Sequence, residues 1–338
     1  MIFSILIGIV FIAMGAGMSG SFAMPLTKTK NWSWANGWFI FCFFGYIVFP
    51  FVASCIFAPG FMEILSRQSS DTYIWILSLG ALYGLANLSF GLSLKYLGFA
   101  LGFSISLGLM MVFGTIVPPI IDGRLDKMMQ GDGATVLFVG LVIAVIGVII
   151  SGYSGYIKEK NEGADRSEYN FSKGIAAALF VGFTGSAQSL AIEQCNHITK
   201  EVIASGVNPL FGSVPIFIII YAGSMFSTII WFLFASRKTD NVVSLFKGEK
   251  VINNYAFCAI AGTLWFVNYI FYGMGQSGLG EFAFIAWGIS KAFNISCGNL
   301  WGIYQGEWKN ATPQNRRIMY IGLATLITAS FIIGMSVN

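Results

Sequence analysis

The sequence predicts an all-α integral membrane protein of ten transmembrane helices, and three observations carry that prediction. Ten apolar runs, at 4–26, 36–58, 73–94, 96–118, 134–153, 174–195, 210–235, 253–275, 280–303 and 316–336, are each close to the ~20 residues an α-helix needs to cross ~30 Å of hydrocarbon. Of the 338 residues 56% are hydrophobic and 10% charged, so the bilayer, not water, is the solvent. The 40 glycines are costly in soluble helices but suit bundles whose backbones approach closely in lipid. Alternating apolar and polar positions, which would mark a membrane β-barrel, are absent.

The first run has the small residues of a signal peptide around Ala13 to Ala23, yet no basic stretch precedes it. It stays uncharged from Met1 to Thr27, too long for a signal core, and Lys28 and Lys30 follow as an anchor; it reads as a retained helix. The longest connector, 154–173, is a charged stretch of about twenty residues that divides the chain into two sets of five runs. The expected domains are a five-helix unit at 1–153, a cytoplasmic connector at 154–173 and a second unit at 174–338. A five-helix unit repeated after an odd number of crossings is inverted in the membrane. Sliding the sequence by 182 places Gly80, Leu82, Tyr83, Gly91, Leu97 and Gly98 on Gly262, Leu264, Trp265, Gly273, Leu279 and Gly280, and a slide of 165 places Gly20 and Ser21 on Gly185 and Ser186.

Basic residues orient these crossings. The odd-numbered connectors carry Lys28, Lys30, Lys95, Lys158, Lys160, Arg166, Lys173, Arg237, Lys238, Lys247, Lys250, Lys309, Arg316 and Arg317, whereas the even ones hold only Arg67, Arg124, Lys127 and Lys200. The positive-inside rule makes the odd connectors cytoplasmic and both termini external. The net charge of +4 is therefore topological, not a nucleic-acid patch.

Motifs of soluble enzymes fail. GAGMSG at Gly15–Gly20 fits GxGxxG but lies inside a membrane helix, with no preceding strand and no acidic residue for a ribose, so close helix packing is the better reading. A lone His197, no Cys/His cluster, no Walker sequence and no HExxH motif point to no metal and no cofactor. Cys42, Cys55, Cys195, Cys258 and Cys297 stand singly in or near apolar segments and read as reduced packing residues.

What remains is a set of polar and aromatic residues at membrane depth, which are costly unless they line a cavity or pair with one another. Run eight offers Trp265, Asn268, Tyr269, Tyr272 and Gln276 at spacings of three and four, one helical face. Run nine presents Trp287, Lys291 and Asn294 with Ser290 beside them; run three offers Tyr83 and Asn87; run six offers Ser186, Gln188, Ser189 and Glu193. This mixture suits a sugar, since rings stack on the CH face of a pyranose while amides and hydroxyls satisfy its OH groups. The competing reading is interhelical hydrogen bonding plus an interfacial aromatic belt.

Lys291 stands about eleven residues into run nine, where an unpaired lysine costs ~2.5–3.5 kcal/mol on insertion scales. Glu281 lies ten residues earlier on the same run, ~15 Å away by helix rise, so it cannot pair with Lys291 and is placed near the outer mouth. Glu193 is the other acidic candidate, at the outer end of run six. Either carboxylate could carry a proton, and the lysine is a further titratable group at this depth. Glu281 is the first candidate, Glu193 the second, and Lys291 the alternative.

The stretches PLTKTKNWSW at Pro25–Trp34, KYLGFALGFSISLG at Lys95–Gly108, GTIVPPIIDG at Gly114–Gly123, GVNPL at Gly206–Leu210 and GEWKNA at Gly306–Ala311 resemble the bacterial L-rhamnose/proton symporter family of the drug/metabolite transporter superfamily. The resemblance runs from the first helix to the tenth. It implies two inverted five-helix repeats, a central cavity and inward movement of a sugar with protons. It carries over no site residue. The sequence is thus expected to encode a secondary transporter of a deoxyhexose in the bacterial cytoplasmic membrane, with the sugar, protons and lipid as partners and no nucleic acid or obligate protein partner. The rival readings are an exporter or exchanger of another metabolite and a membrane sugar sensor that moves nothing. An enzyme ranks behind both, because no nucleophile and base stand together.

The charge asymmetry gives a direct test. Alkaline phosphatase fused after Asn338 is expected to be active and the same reporter placed within 158–170 silent; the reverse result would turn the chain over in the membrane.

Overall fold

The computed structural model describes residues 2–121, 123, 126, 129, 133–162, 170–236, 245–246, 250–279 and 285–335. Among these residues the long helical elements are α1 (Ile2–Ser21), α2 (the consecutive segments Trp34–Phe43, Phe44–Val48 and Phe49–Phe57), α3 (Ser70–Leu97), α4 (Phe99–Ile121), α5 (Ala134–Glu162), α6 (Phe171–Gln194), α7 (Ile216–Ser236), α8 (Val251–Leu279), α9 (Ile285–Tyr304) and α10 (Pro313–Met335). Among the described residues, nine helices are long and apolar enough to cross a membrane, which makes the chain a multi-pass membrane protein. The long helix outside that set is α9, and its sequence explains why. Ser290, Lys291, Asn294, Ser296 and Asn299 dilute its apolar character over 20 residues.

Local chemistry sets the ends. The Ser33 hydroxyl accepts from Asn36 N at 3.2 Å to open α2, Ser69 accepts from Thr72 N at 3.2 Å to open α3, and Asn170 Oδ1 accepts from Lys173 N at 2.9 Å to open α6. Each satisfies an amide that the first helical turn leaves without a partner. The middle of α2 is a π-helical turn, Phe44–Val48.

Glycines set how closely the helices pack. A Cβ on Gly80 of α3 would lie 2.0 Å from Ile220 O of α7, and one on Gly223 of α7 would lie 2.1 Å from Leu77 O of α3. The α2–α8 crossing uses the same device, with Gly262 facing Gly45 N at 2.9 Å, and so does α1–α8, where Gly8 and Gly275 each meet the other's carbonyl. The GAGMSG stretch belongs to this class: Gly15 packs on the Asn268 backbone of α8 and Gly20 on Cys297 of α9. Close helix packing is what that motif does here. The major packing pairs are α5 with α10, α1 with α8 and α9, α6 with α3 and α4, α7 with α3, and α4 with α9.

Stretches far apart in sequence meet at α4's first turn. Gly98, with φ 81°, ends α3 and turns the chain directly into α4. The buried carboxylate of Glu307, from GEWKNA, accepts from Phe99 N at 2.6 Å and Ala100 N at 3.1 Å, and so caps α4. A Cβ on Gly98 would sit 2.8 Å from that carboxylate, and one on Gly302 would sit 2.7 Å from it. PLTKTKNWSW is tied down in a similar way: the buried Asn254 side chain accepts from Lys30 N at 3.0 Å and donates to Lys30 O at 2.8 Å.

Alanine at Gly80 or Gly223 should therefore force α3 and α7 apart, with a loss of ~1–3 kcal/mol or more and a lower thermal unfolding midpoint in detergent. Gly152→Ala, where nothing lies within 4 Å of the added carbon, should leave the midpoint unchanged. Equal midpoints for all three would mean that these crossings are loose.

Candidate functional site

Six of the side chains singled out in the sequence line one buried cavity: Tyr83 and Asn87 from α3, Trp265 and Tyr269 from α8, and Lys291 and Asn294 from α9. Helical spacing explains the grouping, since each pair is three or four residues apart and shares a face. Ser19 and Phe22 at the end of α1 complete the wall, with Phe90 of α3 and Phe103, Leu107 and Met110 of α4. The cavity volume is about 30 Å³, room for roughly one or two water molecules and too small for a pyranose ring.

On the α3 and α8 side the cavity is backed by a hydrogen-bonded chain of side chains. Tyr83 and Tyr269 share a bond between their hydroxyls at 3.2 Å, the Tyr269 hydroxyl donates to Gln188 Oε1 at 3.2 Å, and Gln188 Nε2 donates to the Tyr221 hydroxyl at 2.9 Å. Trp265 is packed inside this set, with ring centroids 5.0 Å from Tyr269, 5.1 Å from Tyr221 and 5.2 Å from Tyr46, and it stacks at 19° to Tyr83. Every ring is thereby held in one orientation. Gln188 belongs to this support and is wholly buried, not part of the described lining.

Tyr46 and Tyr221 are the residues that sequence reasoning missed. Tyr221 is a single hydroxyl in the apolar stretch IFIIIYAGS, with no polar neighbour at helical spacing to mark a face. Tyr46 lies in the π-helical turn of α2, where the extra residue per turn breaks the periodicity that such reasoning uses. Aromatic residues recurring near mid-span on several runs were the available signal.

The α9 side of the cavity carries the charge. Lys291 is 6% exposed, its Nζ stands 4.0 Å from the Trp287 ring centroid, and no carboxylate pairs with it among the described residues. Trp287 packs edge-on against Tyr272 at 6.2 Å, and Gly114, from GTIVPPIIDG, leaves the space its indole occupies. Gln276 Nε2 donates to the Tyr272 hydroxyl at 3.3 Å. Three buried polar atoms here find no hydrogen-bond partner among the described residues: Asn268 Oδ1, Asn294 Oδ1 and Trp287 Nε1. Buried amides and indoles are normally satisfied, and of these three Asn294 is the one that belongs to the cavity lining.

The remaining expected residues fall outside the lining. Asn268 shares the buried face of α8 but backs onto Gly15 of α1, while Tyr272, Gln276 and Trp287 form an adjoining layer. Glu193 is half-buried at the end of α6 and is not among the lining residues, and Glu281 lies outside the described residues. His197 is exposed, with its ring between Gln194 O and the Gln68 side chain. All five cysteines are free, and among the described residues no cluster of His, Cys, Asp or Glu could hold a metal ion.

Membrane-length helices around a chamber walled by rings, amides and the Lys291 cation define a multi-pass membrane protein with an internal cavity. The model of the L-rhamnose-proton symport protein (RhaT) family matches residues 1–338, and the chain belongs to that family. It is 31% identical to an L-rhamnose-proton symporter of Mannheimia succiniciproducens, over 98% of this chain and 98% of that one. It is 28% identical to L-rhamnose-proton symporters of Yersinia pestis and Yersinia pseudotuberculosis, again over 98% of each chain.

Single cysteines introduced at 265 and 269 into a chain freed of its native cysteines should react with small aqueous thiol reagents. One at 266 should not, because Phe266 is buried against Phe217 and Tyr221 of α7. Inert cysteines at both 265 and 269 would show that this face is sealed in protein.

Proposed function

We propose that the chain is a secondary active transporter that takes up L-rhamnose with protons across the bacterial cytoplasmic membrane. The observation that carries the reading is the composition of the cavity wall, with tyrosine and tryptophan rings, asparagine side chains and a cation on one side and Phe103, Leu107 and Met110 on the other. A 6-deoxyhexose needs both. Its hydroxyls require hydrogen-bonding partners, and its methyl group and CH face require apolar contact and a ring to stack on.

The proposed architecture is two inverted five-helix repeats, at 1–153 and 174–338, joined by a cytoplasmic connector, with both termini outside. Two regularities support it. Advancing every helix by five turns α1–α8 into α6–α3, α1–α9 into α6–α4 and α3–α7 into α8–α2, while α4–α9 and α5–α10 map onto themselves; all of these are packing pairs. The slide of 182 also superposes Gly80 on Gly262, each of them the glycine at its own crossing. Repeats of opposite orientation allow one cavity to open alternately to each side.

A cavity of about 30 Å³ admits a sugar only when helices part around it. One proton crossing on the order of 100 mV releases ~2.3 kcal/mol, enough for roughly fifty-fold accumulation. Proteoliposomes loaded with the protein should concentrate radiolabelled L-rhamnose when a pH gradient is imposed. A sensor would bind without accumulation, and an exporter would show no gradient-driven uptake.

Trp265→Ala and Asn294→Ala should each weaken L-rhamnose binding by roughly ten- to a hundred-fold, from the ~1–3 kcal/mol of a lost stack or an unpaired polar group, with normal membrane expression. Unchanged affinity in both variants, measured by titration calorimetry in detergent, would place the sugar elsewhere.

A further inference from the structure

Lys291 sits where a cation is hardest to keep. From α9 it faces Trp287 and Asn294; across the cavity stand Tyr83 and Asn87 of α3, Trp265 and Tyr269 of α8, Ser19 of α1, and Phe103, Leu107 and Met110 of α4. Tyr272 of α8 stands behind Trp287, and α10 meets this stretch through Ser330 and Ile333 beside Gly288. On α6 the neighbouring polar group is Ser189, which donates to Gly114 O at 3.2 Å, and Glu193 lies one turn beyond it, off the cavity wall. Glu281 is outside the described residues. Among the described residues, the groups around the ammonium are thus rings, amides and hydroxyls, none of them a carboxylate. An ammonium carries three donors, and one indole face offsets only part of the loss of water around it.

We propose that Lys291 carries the coupled proton and that the sugar is its solvent. When the cavity closes, a charged Lys291 needs acceptors for its N–H groups, and the hydroxyl oxygens of a bound sugar supply them next to Asn294 Oδ1, which has no partner among the described residues. With no sugar bound, the contracted cavity holds roughly one or two waters, so closure requires the neutral amine. Two closed forms are therefore allowed, charged with sugar and neutral without it. The amine takes a proton from external water before the loaded chain closes, and the ammonium returns it to cytoplasmic water after the sugar leaves. Symport follows because the two other closures, charged and empty or neutral and loaded, are disfavoured. The inference rests on the cavity being the sugar site.

The test separates the two. In weakly buffered detergent solution, adding L-rhamnose to the wild-type protein should draw protons from the medium, and in proteoliposomes the protein should both exchange and accumulate radiolabelled L-rhamnose. Lys291→Gln, neutral in every state, should bind the sugar more weakly, lose proton uptake on sugar addition and lose at least ten-fold in gradient-driven accumulation. Lys291→Arg, whose charge cannot be given up, should bind and exchange sugar with no proton uptake and no accumulation, and it decides the matter if Lys291→Gln fails to fold or bind. Glu281→Gln and Glu193→Gln should accumulate sugar normally. The proposal is overturned if either Lys291 variant still takes up a proton with the sugar, or if Glu281→Gln or Glu193→Gln exchanges sugar but no longer accumulates it. A wild-type protein that neither binds nor moves L-rhamnose would overturn the sugar site itself, an outcome told apart because it appears before any substitution.

Discussion

Hydrocarbon offers no hydrogen bonds, and the arrangement of this protein follows from that constraint. Backbone groups are satisfied inside helices, which is why the described chain is almost continuously helical. Side-chain polar groups have to find one another. The run from Tyr83 through Tyr269 and Gln188 to Tyr221 joins α3, α8, α6 and α7 at mid-depth, and it also orients the rings that wall the cavity. Tyr83 and Tyr269 thus belong both to the polar network that holds the helices together and to the surface proposed to hold a sugar.

Such a network demands close helices, and glycine makes them close. Gly80 with Gly223, Gly45 with Gly262 and Gly8 with Gly275 bring backbones to distances that no side chain would permit. In water such positions weaken a helix. In lipid, where apolar side chains gain little by leaving their surroundings, backbone proximity and dispersion carry much of the association. Tilting about a glycine crossing also moves whole helices without repacking large side chains, which suits a cavity that has to admit a ligand larger than its present volume.

Sequence alone showed the helical character and part of the cavity lining, for different reasons. Apolar runs of membrane length are a thermodynamic requirement and are therefore written plainly. Only α9 strays from the composition rule, because it carries the polar stripe. Cavity-lining residues were legible where they recur at helical spacing, as Trp265 and Tyr269 or Lys291 and Asn294 do. Asn268 and Gln276 share that spacing yet lie off the lining, since periodicity gives a face but not which neighbour covers it. Tyr46 and Tyr221 were hidden for the opposite reason, one in an irregular turn and one alone among isoleucines. The distinction between a lining residue such as Asn87 and a supporting one such as Gln188 depends on which helices meet, and no local pattern records that.

Glu307 shows what such long-range meetings imply. Its carboxylate closes the first turn of α4 from more than two hundred residues away, in a space that exists because Gly98 and Gly302 have no side chains. These three positions are a single object shared between the two halves of the chain. A larger residue at either glycine displaces the carboxylate, and a shorter or neutral residue at 307 leaves two amides of α4 without their partner. Lineages that alter one of the three should alter another with it, so the two halves cannot drift apart in sequence independently at this junction.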